Sequence, residues 1–339
     1  MNVYTPLTMS ILDPLYVLFG WILRLLYGFV ANYGWDIIIF TVFFRAIMIP
    51  FSIKSHKTQL KQMQLGEELN ELRRLYGDDR NGFSMAQMEL FKKHKISMMG
   101  GCLPSLVSLI VVLPIWRIIS QPLHFIMGVG MDKLGQLGQK MVELGLVSQD
   151  ALGGLNGLDI PILQALGSSG EAMNYAVQNQ IMGPDQLINL NFLGLNLGMR
   201  PSFSPSQLFG PESHIYLPLL IIPVLAVITS FLTGKVMQWT SPTFIQARRS
   251  KELAAKNPAR DVMQDQTQGM MKGMNLMMPL FTLMTVFGTP AAMGLYWVVG
   301  NVMMIAQSYI FYYFYTKPVF RKIKEQGSME ILDSGRNKK

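Results

Sequence analysis

Charge is scarce in this chain: Asp, Glu, Lys and Arg make up 15% of its 339 residues, where a soluble globular domain approaches a quarter. Half of the residues are apolar, so a lipid bilayer suits the composition better than water as the surrounding solvent. Cysteine is scarcer still. The single Cys102 excludes an intramolecular disulfide and a thiolate metal cluster, and reads as a small core residue. The histidines His56, His94, His124 and His214 are dispersed, and no P-loop, HExxH or GxSxG pattern occurs. No catalytic residue, cofactor or metal site is therefore expected, and the chain does not read as an enzyme. The N-terminus carries neither the basic region and small-residue cleavage site of a signal peptide nor the Arg- and Ser-rich character of a transit peptide, so it reads as unprocessed. No solenoid-type repeat is visible.

Against that scarcity stand five apolar runs near the roughly 20 residues that cross about 30 Å of hydrocarbon. They place spans at 33–53, 98–120, 215–234, 273–288 and 290–315. The fourth is short, and must sit in thinned bilayer or recruit Met270 and Met271. Within residues 1–32, Asp13, Tyr16, Gly20, Arg24 and Tyr27 recur at steps of three and four. That is one polar stripe on an otherwise apolar helix, the pattern of an interfacial amphipathic helix. Arg24 at bilayer centre would cost on the order of 3 kcal/mol; the alternative, a sixth span, changes only the side of the N-terminus.

Positive charge is sorted by segment. Residues 54–99, 235–272 and 317–339 hold nine, seven and seven of the 29 Lys and Arg, whereas 121–214 holds three against seven Asp and Glu. This distribution accounts for the net charge of +8 through the positive-inside rule, and calls for no specific nucleic-acid sequence as partner. It places 54–97, the loop 235–272 and the basic tail 316–339 in the cytoplasm, with the loop 121–214 and the N-terminus outside. Segment 54–97 reads as a helical hairpin. Leu60, Met63, Leu69, Leu72 and Leu75 fall at broadly helical spacing, Gly77 to Gly82 breaks the pattern, and Met85, Met88 and Phe91 resume it. It is either a connector packed on itself or a docking arm whose methionines adapt to varied apolar partners. The outer loop is rich in Gly, Asn, Ser and Pro, with an amphipathic patch from Met131 to Leu146, and takes no assigned role.

The residue that most needs explaining is Arg45, charged and about 12 Å from the inner end of its span. A guanidinium cannot lose its proton there, so it needs a carboxylate, carbonyls or water, or else snorkels to the interface. The spans contain one acidic residue, Asp36, near the opposite end of the same helix. They do offer Thr41, Ser105, Ser108, Thr229, Ser230, Thr233, Thr282, Thr285, Asn301 and Gln307. Some of these are ordinary helix-to-helix contacts; a subset facing Arg45 would form a wet hollow that attracts acidic or polar segments. Methionine is abundant, 26 in all, and concentrated at 270–304. It serves either as core filler or as a surface for promiscuous apolar recognition.

Three stretches, in order, resemble the YidC/Oxa/Albino family of membrane protein insertases. They are Phe44, Arg45 through Pro50, Phe51, Ile53 and Lys54; Gly101, Cys102, Leu103, Pro104 leading to Pro114, Ile115 and Arg117; and Pro290, Ala291, Ala292 through Leu295, Tyr296, Trp297 to Asn301. The resemblance implies an all-α membrane protein. Five transmembrane helices surround a hydrophilic groove, with a cytoplasmic helical hairpin and an N-terminal interfacial helix. It implies a client-binding groove of Arg45, Thr41, Ser105, Thr229, Thr233, Trp297 and Asn301, and a client slide of Leu106, Ile110, Met277, Phe281 and Met284. Thr233 and Gly234 stand where the family often has Gln. The outer loop is longer than the family core requires, and the chain is similar to the minimal type found in bacterial plasma membranes. The implied function is insertion and folding of small membrane proteins. Nascent clients, the ribosome, the Sec translocon and membrane lipids are the implied partners. The competing readings are a small polytopic anion transporter or channel using Arg45 as its site, and a structural subunit of a larger complex; a transporter commonly shows repeated halves, which this sequence does not.

Overall fold

A computed structural model of the chain describes residues 12–97, 103–149, 159–246, 248, 277 and 279–323, with backbone alone at 67 and 103–109. Cys102, Met270, Met271, Met274 and Met278, most of the 235–272 loop and the end of the basic tail lie outside the described residues. What is described is almost wholly helical. Four helices are long and apolar enough to cross a membrane: Asp13–Val30, Tyr33–Gln64, Ser213–Thr240 and Ala291–Ile323. Two shorter apolar helices, Ile110–Ser120 and Pro279–Gly288, fall in the second and fourth expected spans.

The chain forms two compact units. The first comprises Met1–Arg45, Ser108–Thr229 and Pro279–Gly300. It opens with α1 (Asp13–Val30), whose helix starts at a Pro in its first turn and ends on Ala31 in the left-handed region. After Asn32, whose side-chain carbonyl accepts from the Gly34 and Trp35 amides, α2 (Tyr33–Gln64) begins. Phe19 of α1 packs edge-on against Phe40 and Phe44 of α2, at ring separations of 5.7 and 5.2 Å. The polar stripe of α1 meets the 121–214 segment. Tyr16 stacks on Phe125, Gly20 lies against Phe125, Arg24 donates to the carbonyls of Ile126 and Phe125, and Tyr27 accepts from the Asn189 amide. The opposite face, with Val17, Leu18, Trp21, Leu25 and Phe29, is exposed. The stripe is thus a packing face for the 121–214 segment, and the apolar side of α1 is turned away from it.

That segment is folded. Past α3 (Gly66–Tyr76), α4 (Arg80–Lys93) and α5 (Leu103–Ser120), the chain makes α6 (Pro122–Phe125), α7 (Met131–Glu143), α8 (Asp159–Ser168) and α9 (Gly170–Gln178). In α7, Leu134, Leu137, Gly138 and Met141 are buried at steps of three and four, while Asp132, Lys133, Gln136 and Gln139 are exposed. Their core continues through Leu123, Ile126, Ile162, Leu163 and Leu166. Each fully buried Leu or Ile contributes about 1.5–3 kcal/mol, enough to order a loop otherwise rich in Gly, Ser and Asn. Asp159, at the start of α8, is buried and accepts from the His124 and Leu123 amides at the beginning of α6. Burial pushes its carboxyl up to about 7, opposed by those two N–H groups.

A two-stranded hairpin follows, β1 (Asn191–Phe192) with β2 (Leu195–Asn196), paired Asn191 to Asn196 and Phe192 to Leu195. Its two turn residues, Leu193 and Gly194, both have positive φ, at 50° and 81°, as the right-handed twist of a tight hairpin requires. The hairpin segment caps two helices. The Tyr33 amide donates to Asn189 O, and the Ala291 and Ala292 amides donate to Met199 O and Leu197 O, which satisfies donors that a helix start leaves open. The starts of α2 and of the last helix therefore lie on the same side. Two short helices, α10 (Pro205–Phe209) and α11 (Ser213–Leu219), lead into α12 (Ile221–Thr240). After α13 (Pro279–Gly288) comes α14 (Ala291–Phe311). Gly294 of α14 is the close-packing point: a Cβ there would collide with Ile222 of α12 and lie 3.1 Å from Val286 of α13. Small residues at such crossings let helix backbones approach where lipid supplies no hydrophobic drive.

The second unit comprises Ala46–Val107, Ser230–Met278 and Asn301–Lys339. It contains the C-terminal part of α2, which runs through Pro50 without ending, and the paired helices α3 and α4. Glu68 and His94 approach to 3.6 Å, the Arg73 guanidinium sits over the Phe83 ring, and the Asp79 carboxylate caps α4 by accepting from Gly82 N. Leu75, Met85 and Met88 are exposed. At the end of α14, a π-turn (Tyr312–Thr316) widens the helix where Thr316 meets His56 at 2.8 Å.

Candidate functional site

Arg45 is half-buried at the end of the α2 stretch that belongs to the first unit. Among the described residues no carboxylate pairs with it. Asp36 lies nine positions earlier, about 13 Å up the helix, and both of its carboxylate oxygens are buried without a hydrogen-bond partner among the described residues. What Arg45 does meet is α14. A Cβ on Gly300 would stand 3.3 Å from the Arg45 Nη2 atom, and Tyr296, one turn earlier on the same face, lies within electrostatic reach of the guanidinium. Gly300 makes room for the cation. The sequence singled out Trp297 and Asn301, each one position on from Tyr296 and Gly300. Trp297 is half-buried and packs on the core of the first unit.

The threonines are occupied in a way their presence alone does not reveal. Thr41 is buried and donates to the Ile37 carbonyl at 2.6 Å; Thr229 donates to Leu225 O at 2.7 Å, and Thr285 to Phe281 O at 2.6 Å. Each hydroxyl proton returns to the carbonyl four residues back, which leaves the oxygen as an acceptor only. In the second unit, the Thr233 hydroxyl reaches the Asn301 carbonyl at 3.4 Å, joining α12 to α14. The side chains of Ser105 and Leu106 lie outside the described residues.

The residues expected to form the apolar slide include part of α13. Leu280, Phe281 and Met284 are exposed at steps of one and three, with Met284 at 71%. Met277, one turn before Phe281 in the sequence, is also exposed, as is Ile110 of α5. Among the described residues, no group of three or more His, Cys, Asp and Glu could hold a metal ion. The arrangement offers a cation with no ionic partner of its own among the described residues and a run of flexible apolar side chains. It can bind and orient a segment by charge and by burial.

The chain is similar to known membrane proteins. Over 99 residues, 29% of this chain and 17% of the relative, it is 37% identical to the membrane protein insertase YidC of Ectopseudomonas mendocina (strain ymp). It is 40% identical over 89 residues to that of Laribacter hongkongensis (strain HLHK9), and 36% over 106 residues to that of Coxiella burnetii (strain RSA 331 / Henzerling II). These matches cover 26% and 31% of this chain, and 16% and 19% of the relatives; the aligned part is less than a fifth of the length of each relative. The family described as the 60Kd inner membrane protein matches residues 25–318. The chain is a multi-pass membrane protein, and it belongs to that family, the YidC/Oxa/Albino family that its three motifs resemble.

Proposed function

We propose that this chain is a membrane protein insertase and chaperone of a bacterial plasma membrane. Its groove arginine draws in the polar or acidic flank of a nascent client while the client's apolar segment passes along α13 into lipid. The observation that carries this reading is Arg45 itself: a permanent cation set beside Gly300, with no carboxylate bound to it among the described residues. Such a charge gains from any anion that approaches it out of bulk water, and so lowers the penalty for moving that anion into the membrane. The exposed Leu280, Phe281 and Met284 supply the complementary apolar track. No covalent step is required; the work is differential binding. Basic segments 54–99 and 317–339 lie on the cytoplasmic side, where they meet the ribosome by phosphate attraction and, for larger clients, the Sec translocon. The N-terminus lies outside.

The test is reconstitution of the Arg45→Ala and Arg45→Lys chains with a single-span client bearing an acidic translocated tail. Arg45→Ala lowers insertion of that client severalfold, Arg45→Lys retains most of it, and a client with a neutral tail is less affected. Equal insertion of the acidic-tailed client by the wild-type and Arg45→Ala chains refutes the role.

A further inference from the structure

Three apolar side chains of the 121–214 segment point away from its core. Leu193 is 80% exposed at the hairpin tip, Phe209 is 81% exposed at the end of α10, and Phe203 is exposed on one face while its ring stacks on Phe287 of α13. Leu193 is the most telling. It holds φ +50°, a conformation that a branched apolar residue adopts at a cost and that Asn, Asp or Gly adopts readily. The residue before it behaves as a core residue should: Phe192 is buried, packed on Gly34 and edge-on to Trp35 at 5.4 Å. The hairpin therefore turns one large side chain inward and presents the next at its tip.

The position of these residues identifies what covers them. The hairpin segment caps the first turns of α2 and α14 through Asn189, Leu197 and Met199, and Asn32 donates to the Asn191 carbonyl at 2.8 Å. It thus sits at the level where membrane-crossing helices begin. Phe209 precedes α11 by four residues, and the exposed Leu217, Ile221, Val224 and Ile228 continue down α11 and α12 as surface for hydrocarbon. Phe203, through Phe287, stands at the end of α13. The same segment also exposes the polar face of α7, with Asp132, Lys133, Gln136 and Gln139. The segment thus exposes apolar side chains next to the starts of the long apolar helices, and polar ones on α7.

We infer that Leu193, Phe203 and Phe209 form a lipid anchor, by which the folded 121–214 segment inserts into the membrane leaflet at the end where α2, α12 and α14 start. The anchor holds the segment flat on the bilayer, with the α7 face turned to water. This needs only that the chain spans a membrane, and stands or falls independently of Arg45 and of insertase activity.

The test uses the full-length chain in a Cys102→Ser background, with single substitutions Leu193→Cys and Phe209→Cys and, as aqueous references, Gln136→Cys and Glu171→Cys. Each is nitroxide-labelled, reconstituted into phosphatidylcholine and phosphatidylglycerol vesicles, and read by power saturation with oxygen and a water-soluble nickel chelate. All four sites are exposed, so the labels do not compete with the core. The expected result is that oxygen collisions exceed nickel collisions at 193 and 209, at a depth of about 5–10 Å below the phosphates, with the order reversed at 136 and 171. Nickel collisions dominating at 193 and 209 would place them in water and overturn the anchor. Low collision rates with both reagents would place them against protein, a second copy or a partner, and overturn it equally.

Discussion

Removing the Arg24 side chain isolates the contact that ties α1 to the 121–214 segment. Arg24 Nε donates to the Ile126 carbonyl at 2.6 Å, a short charge-assisted bond, while the 3.4 Å contact of Nη2 with Phe125 O adds little. Gly128 is fitted to that guanidinium: its φ is +73°, and a Cβ there would stand 2.7 Å from Nη2. A hydrogen bond from a charged group contributes about 1.5–3 kcal/mol, so Arg24→Ala destabilises the α6 turn by that amount. Thermal unfolding is a poor assay for it. If α1 lies at hydrocarbon depth, losing the charge favours lipid by up to about 3 kcal/mol, which offsets the loss in any global measurement. Amide exchange is local. The Met127, Gly128 and Val129 amides donate to Pro122, His124 and Leu123, and report opening of this turn alone. Their exchange in nanodiscs accelerates roughly 10- to 100-fold in Arg24→Ala, with Arg24→Lys between the two because it keeps the charge and loses the fork. Unchanged exchange at these three amides would refute the assigned role of Arg24.

Other perturbations test the remaining contacts. Asp159 has a carboxyl raised to about 7 when folded, against roughly 3.9 unfolded; the folded state retains a proton that the unfolded chain has lost. Its contribution to stability is complete below about pH 4, declines as pH rises to about 7 and is flat above that, a loss of at most about 4 kcal/mol. Asp159→Asn removes this slope, which denaturation of the reconstituted chain across that range measures. Gly294→Leu forces side-chain atoms into Ile222 and Val286 and destabilises the α12, α13 and α14 crossing by about 1–3 kcal/mol or more, seen as a lower Tm in detergent. Gly300→Ala is tolerated with a shift of a few tenths of an ångström at the Arg45 Nη2 atom. Gly300→Val displaces the guanidinium and reduces insertion of an acidic-tailed client toward the Arg45→Ala level, read in the same reconstituted assay.

How much of this was legible in the sequence depends on how local the signal is. The long apolar helices are set by composition over some 20 residues, and three of them begin at Tyr33, Ser213 and Ala291. Arg45 stood out because a guanidinium in an apolar run has few neutral explanations. Its neighbours Tyr296 and Gly300 did not, because the choice between them and Trp297 and Asn301 depends on the rotation of α14 about its axis, which no single residue sets. The stripe Asp13, Tyr16, Gly20, Arg24 and Tyr27 was readable as one helix face, but its partners Phe125, Ile126 and Asn189 are more than 100 residues away in several cases. The 121–214 segment was the hardest. Its hairpin turns on Leu193–Gly194 rather than the Asn-Gly or Asp-Gly pair that marks such turns, and its buried acid, Asp159, is satisfied by main-chain donors that leave no trace in side-chain pattern.

The shared cap at Asn189, Leu197 and Met199 has a mechanical consequence. One stretch of chain, 189–199, grips the beginnings of both α2 and α14. Two staves held by one strap at their heads cannot part there without breaking the main-chain bonds to that strap.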